Sequence, residues 1–192
     1  MLLSNCPILE LLHIIKDSSD DIETLNVNSS SLKKFQYFDL DRESKVVINA
    51  PNLDNLSISV YKKLNIEVKT PSSIVKAWSY LTRLTRLIVY NCGDEWSYLP
   101  VMLCIAPNLK FISFLNKPYC TFAHMSSAVE MKPEQNVALC LKSSLESVEF
   151  RGLRDVSGDL EVIAYFLKYA KLLNNVAITC CDVLVSLIRL NP

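Results

Sequence analysis

A short apolar pattern recurs seven times along the chain and constrains its fold more than any other feature. Each copy has a leucine, two variable residues, an apolar residue, one variable residue and a second apolar residue. The copies are residues 9–14, 32–37, 53–58, 84–89, 109–114, 145–150 and 173–178. The last two apolar residues are two positions apart, so they point to the same face of a β-strand. One copy cannot bury that face alone, whereas stacked copies form a parallel sheet over one continuous core.

The spacing of the copies is typical of leucine-rich repeats but irregular. Successive first leucines are 23, 21, 31, 25, 36 and 28 residues apart, whereas leucine-rich repeats are usually about 20–29 residues long. The longest interval, from Leu109 to Leu145, indicates an inserted loop. Three copies have a proline two residues before the first leucine, at Pro7, Pro51 and Pro107. The pattern therefore predicts an α/β fold, an irregular leucine-rich-repeat solenoid with a parallel β-sheet on one face and helices or loops on the other.

The segments between copies predict three helices. They are a first helix over 70–81, a short second one ending near Ile105 and capped by Asp94 or Ser97, and a third over 158–173. The apolar stripe of the third helix consists of Leu160, Ile163, Phe166, Leu167 and Ala170. Residues 119–135 have no clear apolar period and are predicted to form a loop.

Two stretches near the C-terminus carry a family resemblance. Residues 140–148 read Cys-Leu-Lys-Ser-Ser-Leu-Glu-Ser-Val, and residues 161–167 read Glu-Val-Ile-Ala-Tyr-Phe-Leu. This combination resembles the FBD domain that ends many plant F-box/leucine-rich-repeat proteins. Upstream, residues 30–33 and 50–53 look like the repeats of the same family. The resemblance implies leucine-rich repeats over 1–130, and an FBD-like segment over 131–192 that continues the solenoid.

The resemblance also implies a function, that of the substrate-recognition part of an F-box ubiquitin-ligase receptor. Such proteins begin with an F-box, which docks on the Skp adaptor of a cullin ligase. The first repeat here starts within ten residues of Met1, which leaves no room for an F-box. We therefore expect a truncated paralogue, a fragment or a gene model without its first exon. Contact with the Skp adaptor and cullin is expected only if an F-box is supplied elsewhere.

Composition disfavours several other classes of protein. Twenty basic and twenty acidic residues give a net charge of zero, which disfavours nucleic-acid binding. No apolar run approaches the roughly 20 residues of a membrane-spanning helix, so no membrane association is expected. Seven cysteines, several of them inside apolar runs, favour buried thiols in the reducing cytoplasm or nucleus. Cys180 and Cys181 are interpreted in the same way.

No catalytic, cofactor-binding or metal site is predicted. The three glycines lack the spacing of a phosphate-binding loop. The two histidines have no metal ligands at zinc spacing and no nucleophile to activate. His13, which lies between Leu12 and Ile14, is predicted to point out from the sheet.

The repeat register predicts where a partner protein would bind. Residues that flank the two buried positions of each copy face away from the core. Among them are Leu11, His13, Lys34, Gln36, Asn55, Ser57, Ile88, Ser113 and Glu149. Aromatic residues and arginines dominate binding energy at interfaces, so the predicted partner-binding residues are Phe38, Arg86, Tyr90, Phe111 and Arg151.

The leading hypothesis is a non-enzymatic protein–protein interaction module whose target protein is unknown. Three alternatives stay open at this point. One is a truncated remnant without activity, and another is a compact α/β enzyme with unrecognised catalytic groups. The third is a small-ligand sensor, with a pocket covered by the long insertion. An enzyme would have a deep pocket with convergent polar groups and shifted pKa values, whereas a solenoid would have a shallow surface.

Overall fold

The computed structural model describes residues 6–17, 19–20, 22–39, 45–60, 65–68, 81–91, 96, 99–116, 137–153 and 157–180. These residues form ten strands and three helices. In chain order they are β1 (Leu11–Lys16), β2 (Thr24–Asn28), β3 (Lys34–Asp39), β4 (Lys45–Asn49), β5 (Asn55–Val60), β6 (Asn65–Val68), β7 (Arg86–Asn91), α1 (Leu99–Ile105), β8 (Phe111–Asn116), α2 (Leu139–Ser143), β9 (Ser147–Leu153), α3 (Ser157–Tyr169) and β10 (Asn175–Cys180).

The seven sequence copies form one parallel sheet, as predicted. Its strand order is β1-β3-β5-β7-β8-β9-β10, so neighbours in the sheet follow the order of the copies in the chain. The register aligns the equivalent positions of the seven copies, as the pattern requires. One core column consists of Leu12, Phe35, Leu56, Leu87, Ile112, Val148 and Val176, and the next consists of Ile14, Tyr37, Ile58, Val89, Phe114, Phe150 and Ile178. Both columns are buried in β3 to β9 and become more exposed in the edge strands β1 and β10.

Hydrogen bonds at the N-terminal edge of this sheet explain the turn residues of the pattern. The backbone N–H groups of Asp54 and Asn55 both donate to the carbonyl of Lys33, and equivalent pairs recur from strand to strand. The Asn52 amide also donates to the carbonyl of Ser30 at 2.7 Å. Asn108 donates in the same way to the carbonyl of Thr82, at 2.8 Å. The asparagine before the first leucine thus ties each of these turns to the preceding one.

The structure has a second parallel sheet that the sequence pattern did not predict. It contains three strands in the order β2-β4-β6. Helices or loops were expected on the side opposite the main sheet, and this expectation is wrong for the first three copies. Leu25 and Val27 of β2 are two positions apart, as are Val46 and Ile48 of β4. That spacing places each pair on one face of a strand, and Val27, Val46 and Ile48 are buried. The short intervals of 23 and 21 residues are crossed by extended chain, because a strand covers more distance per residue than a helix does.

Two of the predicted helices lie in the second half of the chain, and the structure confirms their positions. It corrects the end of α3 and the residues that α3 buries. α1 is present, and α3 ends at Tyr169 rather than at residue 173. The predicted stripe of α3 is wrong at Leu160 and Leu167, which are 57% and 61% exposed. The stripe is confirmed at Ile163, Phe166 and Ala170, which are buried, and Val162, which was not predicted, faces the core as well. The helix proposed over 70–81, the capping residues Asp94 and Ser97, and the loop over 119–135 lie outside the described residues.

A hydrogen bond determines which face of α3 packs against the core. Asp159 in its first turn is buried, and its Oδ1 accepts a hydrogen bond from Trp96 Nε1 at 3.2 Å. Trp96 lies in turn against the Phe114 ring, with centroids 5.0 Å apart. Because Asp159 points inward, Leu160 points outward. None of the helices in the described part of the chain is long and apolar enough to cross a membrane.

Candidate binding surface

The candidate site is the face of the seven-stranded sheet that points away from the core, here called the outer face. Three rows of side chains cross it, set by the strand register. The first row is Leu11, Lys34, Asn55, Arg86, Phe111, Ser147 and Asn175. The second row is His13, Gln36, Ser57, Ile88, Ser113, Glu149 and Ala177. The third row is Ile15, Phe38, Ser59, Tyr90, Leu115 and Arg151.

An aromatic cluster of His13, Phe38 and Tyr90 lies in the second and third rows. The Phe38 and Tyr90 rings are 4.7 Å apart between centroids, and the His13 and Phe38 rings are 5.4 Å apart, both in edge-to-face arrangements. β5 runs between Phe38 and Tyr90, and it presents only Ser57 and Ser59 there. These serines are 5% and 7% exposed. Because their side chains are small, the two rings meet above them.

A buried ion pair stabilises the strand ends beside this cluster. Lys16 Nζ lies 3.6 Å from Asp39 Oδ2, and both side chains are less than a tenth exposed. The Tyr37 hydroxyl also donates to Asp39 Oδ2, at 3.2 Å. The Asp39 backbone N–H donates to the Ser59 hydroxyl oxygen at 2.8 Å. The end of β3, and with it Phe38, is therefore held to both neighbouring strands.

Arg86 and Phe111 form a second contact on the outer face. The Arg86 guanidinium carbon lies 3.9 Å from the Phe111 ring centroid, a cation–π geometry. Since the guanidinium is planar, this stacking leaves the N–H groups on its edge available for an acceptor in the same plane.

Arg151 is paired at the C-terminal side of the face. Its Nη2 lies 2.6 Å from Glu149 Oε1, and its Nε donates to the same oxygen at 2.7 Å. Glu149 Oε2 accepts a hydrogen bond from the Ser113 hydroxyl at 3.0 Å. A partner that used Arg151 would have to compete with Glu149, so Arg151 is less available than the other predicted residues.

The structure thus places all five predicted residues on the outer face and groups four of them in pairs. Phe38 contacts Tyr90, and Arg86 contacts Phe111, whereas Arg151 is separate. Whether these residues bind a partner stays a prediction. His13 is exposed, as predicted, but Ser57 and Ser113 are buried, because side chains on neighbouring strands cover them.

Sequence reasoning missed two apolar residues of the third row. Ile15 is 62% exposed, and Leu115 is partly exposed. The signal was the strand alternation, which continues one step beyond the end of the six-residue pattern. Extending the pattern by one residue in these two copies would have found both.

A groove of about 640 Å³ follows the N-terminal edge of β1, β3, β5 and β7, where the strands begin. Its lining includes Glu10 and Lys33, whose charged atoms are 2.6 Å apart, and Asp54, which accepts a hydrogen bond from Thr85. Arg83 also lines the groove, and its side chain is exposed. Glu10 and Lys33 thus pair with each other, and Asp54 is bound by the Thr85 hydroxyl and by the Asn55 amide.

The groups with shifted pKa values lie elsewhere, in the core. Burial raises the pKa of Cys104, and it raises the pKa of Cys140 to about 12. Burial also raises the pKa of Tyr165. The Cys140 thiol donates to the carbonyl of Leu103 at 3.5 Å, between α1 and α2. The shifts of these two thiols and one phenol therefore reflect burial against the core, and they give no support to an enzyme site in the groove.

The interpretation of Cys180 as a buried thiol is wrong. Cys180 ends β10 at the edge of the sheet and is exposed, and Cys181 lies outside the described residues. Cys180 lies on the same strand face as Val176 and Ile178, and within the described part of the chain no further strand pairs with β10 to extend the core over that face. In the described part of the chain, no group of three or more His, Cys, Asp or Glu side chains is arranged to hold a metal ion.

We expect alkylation to distinguish the exposed cysteines from the buried Cys140. In the folded chain at pH 8, iodoacetamide should modify the exposed Cys6 and Cys180, and leave Cys140 unmodified. Burial disfavours the Cys140 thiolate, which is the reacting species. Mass spectrometry of tryptic peptides would measure this, with chain unfolded in guanidinium as the control in which Cys140 reacts. Rapid labelling of Cys140 in the folded chain would contradict the packing described here.

Comparison with known families agrees with the resemblance seen in the sequence. Residues 132–178 match the FBD family model. Residues 1–79 match the model for the leucine-rich repeats of the FBD-associated F-box protein At5g56370. No solved structure matches the chain.

Relatives with the same features occur in Arabidopsis thaliana. The putative FBD-associated F-box protein At1g78730 is 36% identical over 105 residues, which is 52% of this chain and 23% of that protein. FBD-associated F-box protein At4g13985 is 39% identical over 52% of this chain and 21% of its own length.

A third relative matches nearly the whole chain at lower identity. The probable FBD-associated F-box protein At1g32375 is 25% identical over 93% of this chain and 52% of its own length. The chain therefore spans between about a fifth and about half the length of these relatives. The predicted resemblance is confirmed: the chain matches the FBD model and the model of the leucine-rich repeats, and FBD-associated F-box proteins of Arabidopsis are homologous to most of its length.

Proposed function

We propose that the chain is a leucine-rich-repeat solenoid that works as a non-enzymatic protein-binding module, with the outer face as its binding surface. One observation carries the proposal. Seven strands in register present an aromatic cluster and an arginine stacked on a ring, on the face of the sheet that is not used for the core. Aromatic and arginine side chains are the residue types that contribute most to binding energy at protein interfaces.

The module would recruit a target protein, as the substrate-recognition part of an F-box receptor does. Relatives of this chain carry F-box in their names, which supports a place in that type of protein. Under this proposal the Skp adaptor and cullin contact the chain only where an F-box is supplied. A chain that binds the target without an F-box would compete with a complete receptor and deliver no ubiquitin. The site of action would be the cytoplasm or the nucleus.

The proposal treats the two parts of the chain as one binding unit. Residues 1–130 would supply leucine-rich repeats, and residues 131–192 an FBD-like segment that continues the solenoid. Three features support this continuity: β9 pairs with β8, β10 pairs with β9, and all three strands are parallel. The outer face would then extend without interruption from His13 to Arg151.

The test uses the double variant Phe38→Ala/Tyr90→Ala. We expect it to bind the target at least about tenfold more weakly, because removal of aromatic anchors typically costs about 2 kcal/mol or more. Tagged wild-type chain, expressed in plant cells, would be purified with its partners. Candidates that mass spectrometry identifies would then be produced, and their affinity measured by titration calorimetry.

The matched control is Leu160→Ala/Leu167→Ala. These two apolar side chains are also exposed, but they lie on α3, on the opposite side of the sheet. Partners that bind through the outer face should bind this variant like wild type. A partner that is lost with the α3 variant and retained by Phe38→Ala/Tyr90→Ala would overturn the proposal. Both variants should keep the wild-type circular dichroism spectrum.

A further inference from the structure

The first row of the outer face carries two cations in a specific arrangement. Lys34 on β3 and Arg86 on β7 both pair in register with Asn55 on β5, which lies between them. Two strand spacings separate their backbones, which is roughly 10 Å. Both side chains are exposed. Side chains of this length can reach the space above Asn55 from either side.

The acidic residues nearby in the fold have other partners. Glu10 is bound to Lys33, and Glu149 is bound to Arg151. Asp54 accepts hydrogen bonds from Thr85 and from the Asn55 amide, at 2.5 and 2.9 Å. Within the part of the chain that the structure describes, neither Lys34 nor Arg86 contacts a carboxylate. The first row therefore has an excess of positive charge that a partner could neutralise.

Arg86 is also shaped for a carboxylate. Phe111 holds the guanidinium plane from one face, with 3.9 Å between the guanidinium carbon and the ring centroid. The N–H fork on the guanidinium edge matches the two oxygens of a carboxylate. Because stacking already restricts the side chain, less rotamer freedom is lost when the acceptor binds. Asn55 is the register partner of Arg86 on β5, and its amide donates to Asp54.

The aromatic cluster lies at a fixed distance from these cations. Phe38 follows Lys34 by four residues on β3, and Tyr90 follows Arg86 by four residues on β7. At about 3.3 Å per residue, the separation along the strands is roughly 13 Å. An extended peptide that lies along the strands covers this distance in about four residues.

We propose that the outer face recognises an extended protein segment in which an Asp or Glu side chain lies about four residues from a bulky apolar side chain. The carboxylate binds between Lys34 and Arg86, and the apolar side chain packs on the cluster of His13, Phe38 and Tyr90. This inference rests on the proposed function, since it names the kind of segment that the binding surface takes.

The experiment is a selection from a phage-displayed library of random 12-residue peptides on the full chain. Selected peptides are then synthesised and titrated against the chain. We expect enriched sequences to contain one acidic residue, with an apolar residue three to five positions away. The double charge reversal Lys34→Glu/Arg86→Glu should weaken them about tenfold or more. Peptides in which the acidic residue is changed to lysine should prefer this variant over wild type.

Lys142→Glu/Lys171→Glu is the matched control, because both lysines are exposed and lie in α2 or after α3, away from the outer face. It should bind the selected peptides like wild type. Peptides that lack an acidic residue or tolerate Lys34→Glu/Arg86→Glu, but are lost with Phe38→Ala/Tyr90→Ala, would overturn this inference and leave the proposed function standing. Peptides whose binding survives both Lys34→Glu/Arg86→Glu and Phe38→Ala/Tyr90→Ala would overturn both.

Discussion

Replacing Phe114 by alanine should lower the free energy of unfolding by about 3–5 kcal/mol, the usual range for a buried phenylalanine. Phe114 is fully buried at the centre of an aromatic group. Its ring centroid lies 5.0 Å from that of Trp96, 5.3 Å from that of Phe150 and 5.9 Å from that of Phe166. Those rings come from three other segments of the chain, so alanine would leave a cavity that no single side chain can fill.

Phe111→Ala is the matched control for this substitution. It removes the same side chain from the same strand, three residues earlier, but on the outer face. There the loss should be about 1 kcal/mol, mainly the contact with Arg86. Urea denaturation followed by circular dichroism would give both values. Equal effects of the two substitutions would contradict the assignment of Phe114 to the core and Phe111 to the outer face.

The main sheet could be predicted from the sequence because its signal is local and repeated. In each copy, the two apolar residues that are two positions apart predict a strand, and the first leucine marks the turn that precedes it. Asn52 and Asn108 add a hydrogen bond to the preceding turn, which gives a physical reason for asparagine immediately before the first leucine of these two copies. Seven copies of one pattern leave little choice of strand order, since sequential strands then stack side by side.

Features that depend on distant parts of the chain could not be predicted in this way. The rotation of α3 depends on the bond between Asp159 and Trp96, 63 residues apart, and helical periodicity alone selected Leu160 and Leu167 instead. The burial of Ser57 depends on large side chains of the neighbouring strands. The second sheet was missed because β2, β4 and β6 are four or five residues long, which is too short for periodicity to separate strand from loop.

For the candidate binding residues too, the sequence predicts what depends on the local pattern and does not predict contacts between strands. The register correctly placed Phe38, Arg86, Tyr90, Phe111 and Arg151 on the outer face, because alternation along a strand decides that. Their pairing could not be read from the sequence. The contact between Phe38 and Tyr90 passes over an intervening strand, and it depends on the small side chains of Ser57 and Ser59 beneath it. Arg151 is tied to Glu149 two residues earlier on the same strand face, a pair that the alternation makes possible but does not require.

Gly152→Val should destabilise the chain by about 3 kcal/mol, the second large effect that we expect. Gly152 has a φ of 76° within β9, a conformation that residues with a Cβ atom rarely adopt. A Cβ atom there would also lie 2.7 Å from the backbone oxygen of Asn116 on β8. That oxygen belongs to the neighbouring strand, so it cannot move without disturbing the pairing of β8 with β9.

The variant Gly152→Asn separates the two causes of destabilisation, which are the positive φ and the close approach to Asn116. Asparagine tolerates positive φ better than valine does, but it carries the same Cβ atom. If the approach to Asn116 dominates, Gly152→Asn should lose most of the stability that Gly152→Val loses, as measured by the midpoint of urea unfolding. If backbone conformation dominates, Gly152→Asn should lie close to wild type. Wild-type stability in both variants would show that β9 does not approach β8 as described, and the register of Leu115 with Arg151 would have to be revised.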